Sequence, residues 1–65
     1  MTLGEILKIC NADNIAIFDI TTNKTILKMN NDFLTISLFA ENFLNHTVVS
    51  INSDDNTIWL SIENA

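Results

Sequence analysis

Two side chains of the chain have the intrinsic reactivity for nucleophilic or general-base work near neutral pH, its single cysteine Cys10 and its single histidine His46. A thiol–imidazole pair acts only when the two meet and a third group orients the base. Cys10 follows Leu3, Ile6 and Leu7 at helical spacing, so it reads as a small hydrophobe on an apolar helix face. His46 stands at the head of a strand pattern with no serine or cysteine placed beside it for activation. One histidine and one cysteine cannot make a zinc site unless distant carboxylates converge. Gly4 is the only glycine, which excludes a glycine-rich phosphate loop. Asp54-Asp55 lacks the spacing and distal glutamate of a calcium loop and reads as turn chemistry. No catalytic residue, metal ligand or cofactor is assigned, and the chain reads as a non-enzymatic protein.

Binding chemistry has better candidates. The carboxylates Asp13, Asp19, Asp32, Asp54, Asp55 and Glu63, if several share a face, would occupy a basic surface on another protein, although a dispersed solvated surface is the simpler reading. Trp59 interrupts the polar side of a strand, the placement of a binding hot spot. Phe39 and Phe43 are further apolar candidates. The cations are Lys8, Lys24 and Lys28, and there is no arginine. Three lysines in a chain of net charge −5 are too few for direct nucleic-acid binding or an anionic membrane surface. Multiplied by symmetry, they would suit an oligomer that sequesters a nucleotide signal.

These residues need a scaffold, and 65 residues allow one domain. A chain this short buries only about 60% of its unfolded surface. With no disulfide available, self-association is the expected supplement, as a homodimer or larger. No basic-then-apolar leader and no run of about 20 apolar residues appears, which suggests a cytoplasmic protein. The two Asn-X-Thr sequons are then chance matches.

Thr2-Leu3-Gly4-Glu5 has the pattern of a capping box and opens a helix over residues 2–10, with Asn11 as the left-handed residue after it. Asn14 to Ile20 is a nearly continuous apolar run, as in a strand covered on both faces. Thr21–Lys24 reads as a turn and Thr25–Asn30 as the returning strand. Phe33 to residue 37 alternates as a third strand, followed by a helical turn over 39–44 capped by Ser37. His46 to Glu63 is a β-hairpin about the loop Ser53–Asn56, with Asn56 closing a type I turn. In it Thr47, Val49, Ile51, Ile58, Leu60 and Ile62 share the core face. Trp59, Thr57, Ser61 and Glu63 take the other, opposite Val48, Ser50 and Asn52. The order is α-β-β-β-α-β-β: an α+β domain, an N-terminal helix on a small twisted antiparallel sheet, with a partly open barrel as the alternative.

The opening M-T-L-x-E-[IL]-L helix, the hairpin, the F-L-N turn and the ending VVSIxxxDNTIWLSIE together resemble small proteins of phages and mobile elements of low-GC Gram-positive bacteria. Val49, Ile51, Ile58, Leu60 and Ile62 match core positions and Asp55-Asn56-Thr57 the turn; Ser37-Leu38-Phe39-Ala40 departs from the pattern. The resemblance carries no catalytic residue across. It implies a small acidic inhibitor acting in the cytoplasm of a bacterial host on an antiviral defence protein with a basic surface. The nucleotide-sequestering oligomer and an accessory subunit are the alternatives.

Overall fold

The computed structural model describes residues 1–63. Helix α1 (Leu3–Ile9) is followed by β1 (Asn14–Asp19), β2 (Lys24–Asn30), helix α2 (Phe33–Phe39), a 3-10 turn (Glu41–Phe43), β3 (Thr47–Asp54) and β4 (Thr57–Glu63). The α+β class is as the sequence indicates, with α1 starting at its capping box. There the Thr2 N–H donates to Glu5 Oε1 at 2.9 Å, and the Glu5 N–H donates to Thr2 Oγ1 at 3.3 Å. Gly4 lets α1 lie close to Leu44: a Cβ there would sit 3.3 Å from the Leu44 carbonyl oxygen, so a larger residue would push the two apart by a few tenths of an ångström. The helix ends without a left-handed Asn11: Cys10 stays extended, and its N–H closes the last turn on the Ile6 carbonyl.

Three expectations are corrected. The segment 33–37 is not a strand but the first part of α2, because Asp32 is an N-cap. Its carboxylate accepts the Thr35 hydroxyl at 2.7 Å and the Thr35 N–H at 3.5 Å, which ends the extended run and starts a helix five residues before the Ser37 cap that the pattern suggested. The helical turn expected over 39–44 shrinks to the 3-10 turn. Second, the sheet is mixed and open, with no barrel closure: its order is β2-β1-β4-β3, and β1 runs parallel to β4. Third, the β3–β4 turn has two residues, Asp55 (φ 51°) and Asn56 (φ 65°), both left-handed as a type I′ turn demands, and not a four-residue type I loop.

Both helices pack on one sheet face. Leu3, Ile6 and Leu7 from α1 and Ile36 and Ala40 from α2 meet Ile15, Ile17, Leu60 and Ile62. The register aligns Ile15 with Ile58, Ile17 with Leu60 and Asp19 with Ile62 across the central pair. Asn31 pins the layers together, its side-chain amide donating to the Cys10 and Ala12 carbonyls at 3.1 and 2.8 Å. Among the described residues, no helix is long and apolar enough to cross a membrane.

Leu60 is fully buried at the middle of this core, so Leu60→Ala should destabilise the fold by about 2–5 kcal/mol in a denaturant melt. A second expectation concerns acid. The Thr2 backbone N–H and hydroxyl hold the Glu5 carboxyl below its ordinary value, and the Thr35 hydroxyl and N–H do the same for Asp32. Their folded-state titration is depressed, so these caps add stability that is fully present above the unfolded values of about 4 and is lost as pH falls through the folded ones. The Glu5→Gln/Asp32→Asn double variant should therefore lose less melting temperature than wild type in that acid range; parallel losses would count against the caps as titrating elements.

Candidate functional site

The sheet face opposite the helices carries the candidate site. Trp59 lies on it as its place in β4 predicts, because β4 alternates regularly: Leu60 and Ile62 point to the core, and Trp59 and Ser61 point away. The neighbouring strands complete a row. The register sets Asn52 of β3 beside Trp59, Ala16 of β1 on its other side, and Lys28 of β2 beyond Ala16. Since Ala16 is small, Lys28 reaches across it and places its Nζ 5.4 Å from the Trp59 ring centroid, a cation–π contact spanning three strands. Ala16 is completely buried although it faces away from the helices. The next row holds half-buried Phe18 with Thr25, Ser61 and Ser50. Two aromatic rings thus stand on a floor of small polar side chains, with one cation already oriented by a ring.

The β3 side of this face differs from the expected one. A bulge between Val48 and Ser50 shifts the alternation. Thr47 therefore joins the outer face, opposite Glu63, and Val48 turns to the core, opposite Ile62. Val49 falls in the bulge at 45% exposure. Ile51 pairs with Leu60, yet it stays 55% exposed at the sheet edge.

The other candidate residues are dispersed. Asp19 is 5% exposed and holds the β1–β2 turn: its carboxylate accepts the Thr21 N–H at 2.9 Å and the Thr22 hydroxyl at 3.2 Å. It is a turn residue with little surface to offer a partner. Asp54 and Asp55 line an open cleft of about 570 Å³ with Asp13 and Cys10, at the end of the sheet. Glu63 is exposed at the far end of β4. Phe39 is 69% exposed at the end of α2, whereas Phe43 is half-buried with its ring edge-on to His46 at 5.3 Å. These two rings serve different surroundings. Lys8 is exposed on α1 in the helix layer, and Lys24 is exposed at the start of β2 opposite Asp19. Only Lys28 lies near Trp59. Among the described residues, no three His, Cys, Asp or Glu side chains gather closely enough to hold a metal ion.

Two features escape the sequence patterns. One is the set of partners of Trp59, since Lys28, Ala16 and Phe18 share its face only in this strand order. The other is the outer face of α2, where Leu34 and Leu38, one turn apart, are 79% and 68% exposed beside Phe39; the Asp32 cap with Thr35 three residues on is the signal that would have revealed that helix. No protein-family model, no curated protein and no solved structure matches the chain.

Trp59 is the single tryptophan, so its emission reports on its own surroundings. Replacing Lys28 by Met should change that emission and cost about 0.5–1 kcal/mol of stability, the value of an exposed cation–π contact. Unchanged emission and stability together would show that the lysine does not sit on the ring in solution.

Proposed function

We propose that the protein is a non-enzymatic binding module that engages another protein through the open sheet face around Trp59. The observation that carries this reading is the arrangement of Trp59 and Phe18 beside buried Ala16, with Lys28 Nζ over the Trp59 ring and serine, threonine and asparagine in the neighbouring register positions. A rigid aromatic anchor within a ring of small polar groups is the composition of an interface hot spot. Enzymatic readings lack an equivalent. The Leu3 N–H donates to the His46 carbonyl at the start of α1, while Cys10 caps the other end, about 10 Å further along the axis. The imidazole and the thiol therefore do not meet.

The net charge of −5 favours a partner with a basic surface. The resemblance to small phage proteins gives the proposal its more specific form, an inhibitor that occupies a host antiviral defence protein. A nucleotide-sequestering oligomer draws less support, because Lys8 and Lys28 lie on opposite layers of the fold.

The experiment is capture from bacterial lysate at low salt by wild type, Trp59→Ala and Leu38→Ser in parallel. A partner of the open face should be retained by wild type and Leu38→Ser and lost at least about tenfold with Trp59→Ala. Capture that is indifferent to Trp59, or a melting-temperature rise of several degrees with cyclic nucleotides, would replace the proposal with one of its alternatives.

A further inference from the structure

The two edges of the sheet are treated differently by the sequence. β2 carries Lys24 and Lys28 and is bulged in its middle, both devices that discourage strand pairing. β3, an eight-residue strand at the other edge, contains neither lysine nor proline. Its bulge lies near its start, where the chain covers its own edge. The Val48 N–H donates to the Met1 carbonyl at 2.9 Å, and Thr2 bridges Thr47. At the other end the strand stops at the Asp55–Asn56 turn. Between these limits Val49 to Asp54 form an open edge. In a two-residue hairpin the residues flanking the turn, Asp54 and Thr57, bond to each other, so Ile51 and Ser53 direct their N–H and C=O groups outward. Met1, Val49 and Ile51, at 67%, 45% and 55% exposure, set apolar side chains along this edge.

We propose that this edge pairs with the same edge of a second copy, antiparallel about a two-fold axis at Asn52, to join two four-stranded sheets into one of eight. Charge selects the occupant. A chain of net charge −5 repels its own copies over most of its surface, but residues 47–53 carry no charged side chain. In this register the two Asp54 carboxylates stand about 13 Å apart along the strands, beyond the Debye length of about 8 Å at physiological salt. Face matching selects the register. Ile51 and Ser53 share the helix side and oppose each other across the axis, while Ser50, Asn52 and Asp54 share the Trp59 side. Shape agrees as well, because the partner's turn falls beside Met1, where its chain reverses away from the edge. The seam is short, so the dimer is reversible and of micromolar affinity. It does not depend on any partner of the Trp59 face.

Sedimentation velocity on the full chain across the micromolar range tests the proposal, together with three variants. Wild type should double in mass as concentration rises. Ile51→Lys places a cation on the open edge and should weaken the dimer at least about tenfold, with unchanged circular dichroism because Ile51 is exposed. Lys24→Glu, on the guarded edge, should leave the dimer intact. In a Cys10→Ser background, Asn52→Cys should oxidise to a disulfide-linked dimer. A wild type that stays monomeric throughout, a dimer indifferent to Ile51→Lys, or an Asn52→Cys chain that forms no disulfide would each overturn it. So would growth past the dimer, which indicates β3 pairing head-to-tail with the β2 edge.

Discussion

The parallel pairing of β1 with β4 is the constraint on which the rest of the molecule depends. Each hairpin closes locally, β1 with β2 and β3 with β4, and an isolated hairpin is marginal in water. Only the central pair makes them one sheet and brings Ile15, Ile17, Leu60 and Ile62 together beneath the helices. Parallel strands are ordinarily covered on both faces. Here two short helices cover one face, and on the other the side chains of the sheet cover it themselves. Ala16 is sealed in the row that Trp59 and Lys28 occupy, so the side chains of the proposed binding surface also shield the centre of the sheet. The proposed binding role therefore falls on residues that already have a structural one.

Much of the fold is legible in the chain because its signals are local. The Thr2–Glu5 capping box, the apolar β1 run and the alternation of β4 each predict an element that the structure contains. The segment Phe33–Phe39 was obscured because seven residues containing Phe, Leu, Ile and Thr suit a strand as well as a helix. The deciding feature is the single hydrogen-bonded Asp32–Thr35 cap. Strand order was not legible at all. The continuous burial of Ile15, Ala16 and Ile17 fits a central strand, but no local pattern says that its second neighbour is β4 in parallel.

The site was legible to the same depth. Trp59 could be placed on the outer face from period-two alternation, since β4 has no irregularity. Val48 and Val49 could not be placed correctly, because one bulge inverts the alternation from that point. Asp19 looked like surface charge in the sequence, yet its two acceptor oxygens are committed to the turn that follows it. Lys28 is four residues from Lys24 and indistinguishable from it in composition; only the intervening Ala16 makes it a partner for Trp59.

The crossover between the hairpins also fixes an order of events during folding. β1 and β2 are neighbours in the chain and can form their hairpin at once, but the strand that must lie against β1 is the last of the four. Until Thr57–Glu63 docks, the other edge of β1 and the floor of the core are open, and α1 and α2 have only part of a surface to settle on. Such late closure across a long stretch of chain is slow relative to local pairing. The folding chain thus passes through an interval in which its most apolar strand is half-paired, and in that interval it is most exposed to proteases and to other copies of itself.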